Sequence, residues 1–325
     1  MWRRRLGRWV LSVCLILNAN PVATHTLLFL TEEETPLYQT WSRDPHRSPT
    51  LFFTLARPSA DVTLQGFLSL DRPEWPPIPA RKTQTLDSLA DLCHRERAQV
   101  VIALGDEAAR MILRTCQLPT LLVGMTRQQL APLLAEAWRE PVSAIYREAD
   151  PSLDLRLARA LLPNARTVGV LVPTPEPAWL TSLRVEGRRL AFALEEIAVT
   201  DDLDAVRMLR PRLTGLDAVL LPPDANIVNE WSLKPLLLMT VRQGVPVLGG
   251  STARYVEAGV LAAAVADERR MPEQMRALIA ELAQGRTPHP TYPASVRVAI
   301  NRTVAETLGV SAEAIHRAWS LFSTP

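Results

Sequence analysis

Short, almost continuously apolar runs alternate with amphipathic stretches along most of this chain. The apolar runs predict buried strands at residues 26–30, 61–70, 99–105, 120–125, 141–146, 167–172, 217–222, 245–250 and 259–265. The stretches between them repeat apolar residues every three or four positions, as in AWLTSLRVEGRRLAFALEE and PEQMRALIAELAQG, and predict helices. Strands that are apolar on both faces and separated by helices form parallel sheets covered on both sides. The sequence therefore predicts a doubly wound α/β protein.

Two such halves are expected from a chain of 325 residues, because one domain usually has about 100 to 200. The first half is predicted to end near Pro141, and the second to begin with the strand at Thr167. The segment 31–82 shows the weakest pattern. Eight prolines interrupt it, and its run RPEWPPIPAR favours an extended loop.

The N-terminus has the three parts of a secretory signal peptide. WRRRLGR is basic, WVLSVCLILNA is apolar, and NANPVATH is small and turn-prone. Residues 1–25 are therefore predicted to form a signal peptide that directs the protein to the periplasm. An uncleaved signal anchor remains the alternative, because no A-x-A cleavage site follows the apolar run.

The charge balance argues against a nucleic-acid partner. The whole chain has a formal net charge of +2, but four of its 36 basic residues are arginines within the first eight positions. Without those four, 32 basic residues face 34 acidic ones. Nucleic-acid binding needs a clustered basic surface that displaces counterions from phosphates, and the mature sequence has no basic excess to supply one.

Recognisable catalytic and metal-binding motifs are absent from the sequence. The five histidines are isolated, no H-E-x-x-H or Cys/His spacing occurs, and G-x-S-x-G, P-loop and G-x-G-x-x-G motifs are missing. The sequence therefore predicts no metal, no cofactor and no enzymatic activity, although catalytic groups can also meet only after folding. Export leaves Cys93 and Cys116, for which a disulfide and two buried thiols are both open alternatives.

Four strand-to-helix turns place Gly, Ser, Thr or Asp just where a helix can begin. They are LGDEAAR, VGMTRQQ, LPPDANIVNE and LGGSTARY. In open α/β sheets, ligands bind beyond the carboxyl ends of the strands, where helix N-termini present free backbone N–H groups. The candidate ligand contacts in these turns are Asp106, Thr126, Asp224 and Ser251. As ordinary N-caps, each of them would instead stabilise its helix by about 1 kcal/mol.

Three longer segments resemble a known family. VVIALGDEAARMILRTCQLPTLLVGM, VSAIYREADPSLDLRLARALLPNARTVGVLVPTPE and GVPVLGGSTARYVEAGVLAAAVADERRMPEQMRALIAELAQGRTP are similar to periplasmic substrate-binding components of ABC transporters, in the type I group related to amino-acid binders. VRVAINRTVAETLGVS resembles the final strand and helix of that family, so the likeness spans about residues 98–312. The resemblance implies two doubly wound parallel-sheet lobes joined by a hinge of three crossovers. The first lobe would comprise 26–145 plus about 260–290, and the second 146–259 plus about 291–325.

The resemblance also implies where a small ligand binds, in the cleft between the lobes. The residues placed there are Gly105, Asp106, Thr126 and Tyr146 from the first lobe or hinge, and Asp224, Ser251 and Thr252 from the second. Asp224 matches the acidic position that meets the ammonium group in amino-acid binders. Asp106 and Glu107 depart from the family pattern and disfavour a carboxylate at that turn. The ligand is thus expected to be amino-acid-like, and cationic or neutral.

The function expected from this resemblance is that of a monomeric, exported solute-binding protein, which delivers a small ligand to the membrane permease of an ABC importer. In the expected mechanism, a ligand that contacts both lobes shifts the population toward a closed arrangement. Two alternatives stay open at this point: a ligand-sensing or accessory module of the same fold, and a secreted enzyme.

Overall fold

The computed structural model describes residues 27–31, 37, 40–41, 50–56, 63–67, 81–84, 99–136 and 141–322. The predicted signal peptide, Cys93 and most of the proline-rich segment 31–82 lie outside the described residues. In the part of the chain that is described, the strands form two separate sheets, and helices pack against both of them.

The first sheet is mostly parallel. Its strands are β1 (Leu27–Thr31), β2 (Thr50–Ala56), β3 (Thr63–Phe67), β4 (Arg81–Gln84), β5 (Val100–Leu104), β6 (Thr120–Met125) and β7 (Val142–Tyr146). They lie in the order β4-β3-β2-β1-β5-β6-β7. Neighbouring strands from β2 to β7 pair in parallel, whereas β3 and β4 are antiparallel additions at one edge. β2 is not predicted from the sequence, because it lies among the prolines of the segment 31–82.

The second sheet repeats this design. Its strands are β8 (Thr167–Pro173), β9 (Ala193–Val199), β10 (Ala218–Leu221), β11 (Val247–Gly249), β12 (Ala262–Ala266) and β13 (Val296–Ile300). Their order is β13-β12-β11-β10-β8-β9, and only the pair of β12 with β13 is antiparallel among the described strands of this sheet. Both sheets therefore have a parallel centre and an antiparallel edge.

Helices connect most of these strands. They are α1 (Asp106–Thr115), α2 (Arg127–Glu136), α3 (Ser152–Leu161), α4 (Trp179–Arg189), α5 (Asp202–Leu209), α6 (Glu230–Arg242), α7 (Ala253–Ala258), α8 (Met271–Ala283), α9 (Arg302–Thr307) and α10 (Ala312–Ser320). A 3₁₀ helix at Arg210–Gly215 follows α5 directly.

Successive residues of the central strands face two different cores, which explains why these strands appear as continuous apolar runs. In β5, Val101 packs in one core with Ile112 of α1, and Ile102 packs in another with Met275 of α8. All four side chains are fully buried. Burial of each large apolar side chain stabilises the fold by about 1.5 to 3 kcal/mol. The predicted doubly wound α/β class is confirmed.

Within the described residues, the chain passes between the two sheets three times: after β7, between β12 and α8, and after α8. The first and third passages lie side by side, because the Tyr146 N–H donates to the Thr291 carbonyl and the Thr291 N–H to the Ala144 carbonyl, both at 2.9 Å. β12 belongs to the second sheet and α8 packs on the first. We retain the division into two lobes as a proposal, with the return to the first lobe placed after Ala266 instead of at about 260.

The prediction of a single helix over 178–196 is wrong. Helix α4 ends before Ala191, which adopts a left-handed backbone with a φ of 55°, and the chain continues as the edge strand β9. An edge strand has an exposed side, so β9 carries charged residues in place of an apolar run. Its Glu196 forms an ion pair with Arg184 of α4 at 2.7 Å. The search for apolar runs therefore misses this strand.

Cys116 is disulfide-bonded, which removes the alternative of two free thiols. The other two cysteines of the chain, Cys14 and Cys93, lie outside the described residues. None of the described helices is long and apolar enough to cross a membrane.

Candidate ligand-binding cleft

A cavity of about 1030 Å³, here called the cleft, lies between the carboxyl edges of the two sheets. On the side of the first sheet it is lined by Thr126, which follows β6, and by Arg147 and Glu148, which follow β7. On the side of the second sheet, the segments 222–225 and 250–252 line it after β10 and β11. The cleft also extends along α6 and α7. A cavity at the carboxyl ends of parallel strands is the usual position of a small-ligand site in α/β proteins.

Thr126 is the N-cap of α2, so the capping alternative holds for this residue. Its Oγ1 accepts a hydrogen bond from the Gln129 N–H at 3.3 Å, and the Gln129 side-chain oxygen accepts one from the Thr126 N–H at 2.9 Å. This reciprocal pair is a capping box, in which a Ser or Thr is followed three residues later by Gln or Glu. Thr126 therefore begins α2 and borders the cleft at the same time.

Asp224 lines the cleft without capping α6. Its Oδ1 accepts a hydrogen bond from the Asn226 N–H at 2.9 Å and so closes a tight turn after β10, while Asn229 caps the helix. The residue is 8% exposed. Burial raises the pKa of Asp224, and hydrogen bonds from the Asn226 N–H and the Gln128 side chain oppose that rise. Because Gln128 belongs to α2, Asp224 is contacted from the opposite side of the cleft.

The turn after β11 has an unusual backbone. Gly249, Gly250 and Ser251 have φ values of 90°, 78° and 51°, in a region that glycine adopts readily and serine seldom does. The Ser251 Oγ is buried and has no hydrogen-bond partner. Thr252, and not Ser251, is the N-cap residue of α7, and its side chain makes no capping bond. The Ser251 hydroxyl therefore does not cap α7, and its hydrogen-bonding capacity is unused within the described residues.

Gly249→Ala is expected to lower the free energy of unfolding by about 3 kcal/mol, through backbone strain and overpacking. An added Cβ would lie 2.8 Å from the carbonyl oxygen of Leu221, which cannot move aside as a side chain can. Gly244→Ala is the matched control, because its φ is 67° but no heavy atom lies within 4 Å of the added Cβ. The control should lose about 1 kcal/mol. Urea unfolding measures both, and equal losses would contradict a role for the contact with Leu221.

Glu148 is the most buried charged residue along the first passage between the sheets, at 3% exposed. Its Oε1 accepts a hydrogen bond from the Arg127 N–H at 2.7 Å, but its Oε2 is buried without a partner. Burial raises the pKa of Glu148, and the Arg127 N–H and the positive charges of Arg147 and Arg127 oppose the rise. Sequence reasoning missed Glu148, although charged residues that directly follow the apolar strand VSAIY are a usable signal.

Arg127 and two tyrosines occupy the base of the passages between the sheets. The Arg127 guanidinium donates to the Tyr292 hydroxyl at 3.4 Å and lies 5.6 Å from the centre of the Tyr146 ring. The two rings meet edge to face at 5.1 Å. Burial raises the pKa of Tyr292 to about 12 and also raises that of Tyr146. Both phenols are therefore neutral at physiological pH.

Four of the seven residues predicted to bind ligand line the cleft: Thr126, Asp224, Ser251 and Thr252. The three described residues outside the lining are Gly105, Asp106 and Tyr146. Gly105 is the N-cap residue of α1, and Asp106, the first residue of that helix, forms an ion pair with Arg110 at 3.0 Å. Neither Asp106 nor Tyr146 is therefore placed to meet a ligand in the cleft as it stands. The ligand-binding role of the seven residues stays a prediction.

No protein-family model matches the chain, and no curated protein matches it in sequence. Solved structures do match. A substrate-binding protein with adhesive properties from Clostridium difficile, in a ligand-free open form, is 14% identical with a TM-score of 0.58 over 88% of this chain and 95% of that one. The ABC domain from Streptococcus pneumoniae in complex with L-Trp is 14% identical with a TM-score of 0.54, over 91% and 98%. A conserved domain protein from Vibrio cholerae is 15% identical with a TM-score of 0.51, over 90% and 98%.

The chain thus has the two-lobed α/β fold of the type I periplasmic binding proteins. The resemblance inferred from the sequence is confirmed at the level of the fold.

Proposed function

We propose that this protein binds a small solute in the cleft and delivers it to an ABC-type importer. The observation that carries the proposal is the convergence of polar groups from both lobes on one cavity. Two of their atoms, Glu148 Oε2 and Ser251 Oγ, are buried without a hydrogen-bond partner. Native proteins seldom leave buried polar atoms unpaired, so a ligand that supplies the partners explains them.

Closure about the passages between the lobes is the mechanism we propose. A ligand that contacts both sides of the cleft binds the closed arrangement more tightly, and it shifts the population by that difference in affinity. The position of Gln128 supports this mechanism, because this residue of α2 lies near enough to Asp224 to lower its pKa from across the cleft. A permease would then recognise the closed form.

The second part of the proposal is that the protein binds its solute without converting it chemically. Among the described residues that line the cleft there is no histidine or cysteine. The Streptococcus pneumoniae neighbour holds L-Trp, and the Clostridium difficile neighbour is a substrate-binding protein, which supports a small ligand and transport. Export through residues 1–25 to the periplasm belongs to the same proposal, as does a monomeric state.

The test is to find a solute that the folded protein binds. Native mass spectrometry of protein purified without denaturation identifies a bound compound, and thermal shifts then rank it against common L-amino acids, glycerol and D-glucose. We expect at least one compound, at about 100 times its Kd, to add about 2.7 kcal/mol of stability and raise the Tm by about 4 °C.

Small-angle scattering with that compound should show a smaller radius of gyration than without it. The proposed function would be contradicted if no compound co-purified with the protein and none raised its melting temperature. Chemical conversion of a bound compound would instead favour the secreted enzyme.

A further inference from the structure

We propose that Glu148 accepts the ammonium group of a primary amine, and hence that the solute bound in the cleft is a cation at that end. The inference rests on the proposed function, and it adds the chemical class of the solute and a residue that selects it.

The first argument is the incomplete bonding of the Glu148 carboxylate. The side chain is more than nine-tenths buried and lines the cleft, yet only its Oε1 meets a donor. An ionised carboxylate is purely an acceptor, so its second oxygen needs an N–H or O–H group. A buried charge without enough partners is costly, and the described part of the chain offers no donor to Oε2. A ligand that brings a donor would remove this cost.

The second argument is the distribution of charge in the lining. Three of the four acids of the lining are buried or half-buried, whereas its bases are exposed to solvent. The fourth acid, Glu230, is exposed and pairs with Arg254 at 3.0 Å. The buried or half-buried acids are Glu148, Asp224 and Glu268, and the bases are Arg147, Lys234 and Arg254. Charges in a poorly solvated cavity act more strongly than charges at its rim. The interior of the cleft therefore attracts a cation and disfavours an anion, which selects an ammonium group over a neutral hydroxyl as the missing donor.

The protein's own cations do not take this place. Arg127 contacts Glu148 through its backbone N–H, while its guanidinium is directed to the Tyr292 hydroxyl and the Tyr146 ring. Arg147 acts on Glu148 through its charge, but its side chain is exposed and makes no hydrogen bond to Oε2. Neither arginine side chain thus supplies the donor that Oε2 lacks.

The experiment is calorimetric titration of the full chain with two sets of compounds. The amines are the common L-amino acids and 1,4-diaminobutane, and the neutral compounds are glycerol, D-glucose and myo-inositol. We expect an amine to bind and the neutral compounds not to bind. Glu148→Gln should weaken binding of that amine by at least tenfold, because the amide keeps the bond from Arg127 but loses a charge-assisted one.

Glu176→Gln is the matched control, because it removes the same charge from an exposed ion pair with Arg184 outside the cleft. It should leave the affinity unchanged within about twofold. If Glu148→Gln does not fold, the N-acetylated form of the amine tests the same bond on the unmodified protein. It should bind at least tenfold more weakly than the amine.

Several results would overturn the inference. They are binding of a neutral compound in place of an amine, equal affinity for the acetylated amine, and an unchanged affinity in folded Glu148→Gln. In each of these cases a solute still binds, so the proposed function stands. If no compound of either set binds, the amine assignment fails. The proposed function fails with it only if native mass spectrometry also finds no solute.

Discussion

Asp154→Asn is expected to raise the free energy of unfolding by about 4 kcal/mol at about pH 8, and to change it little near pH 4. Asp154 lies in the first turn of α3 and is 1% exposed. Burial raises its pKa from 3.8 to about 7, and the negative charge of Asp150 adds to the rise, although a hydrogen bond from the Ala264 N–H at 2.7 Å opposes it.

The sign follows from proton binding. Because the folded pKa of Asp154 lies above the unfolded one, the folded state holds more protons between about pH 4 and pH 7. Stability therefore falls as the pH rises through this window, and the loss is complete above pH 7. Asparagine keeps an acceptor for the Ala264 N–H and removes the buried charge. The side chain lies outside the cleft lining, so ligand binding should not change.

Asp217→Asn is the control of opposite sign. The Asp217 carboxylate accepts hydrogen bonds from the N–H groups of Arg166 and Thr167 at 2.7 and 2.8 Å, and these bonds lower its pKa. The ionised Asp217 carboxylate stabilises the fold at neutral pH, and this effect is lost when the group is protonated in acid. Asp217→Asn should therefore be less stable than the unmodified protein at about pH 8. Urea unfolding at both pH values separates the two variants. If Asp154→Asn raised the free energy of unfolding equally at both pH values, the buried charge would be ruled out as the cause.

Asp224→Asn is expected to weaken binding of the identified solute by about 2 to 5 kcal/mol, which is roughly 30-fold or more, while the Tm hardly changes. Asparagine keeps the shape of the side chain and an oxygen for the Asn226 N–H, so the turn after β10 should be preserved. What it removes is a negative charge in a cleft that closes around the ligand. Calorimetric titration and thermal unfolding of the same preparation measure both effects.

Asp201→Asn provides a matched comparison for that variant. Asp201 is the N-cap of α5, its Oδ1 accepts a hydrogen bond from the Asp204 N–H at 2.8 Å, and it lies outside the cleft lining. Asparagine caps helices about as well as aspartate, so neither affinity nor stability should change. If Asp224→Asn behaves like Asp201→Asn, Asp224 only shapes its turn and has no part in ligand binding.

Much of the architecture could be predicted from local pattern. The runs TVGVLV and VSAIY are apolar without interruption because both faces of a central parallel strand are buried, and they form β8 and β7. The edge strand β9 gives no such signal, since exposed Glu196 pairs with Arg184 where a central strand would have an apolar residue. The sequence left two roles open for Thr126, helix cap and ligand contact. The capping box that it forms with Gln129 lies within four residues and is therefore encoded in the local sequence.

Periodicity and turn chemistry were thus enough to establish the α/β class and the turns at the carboxyl edges of the sheets. The partners of the buried carboxylates come from distant parts of the chain: the Arg127 N–H reaches Glu148 across 21 positions, and the Ala264 N–H reaches Asp154 across 110. Local sequence carries no information on such contacts, because they exist only once strands, helices and passages have packed. Burial follows from the same packing and decides which carboxylates have perturbed pKa values. Glu148 was therefore found only in the folded chain.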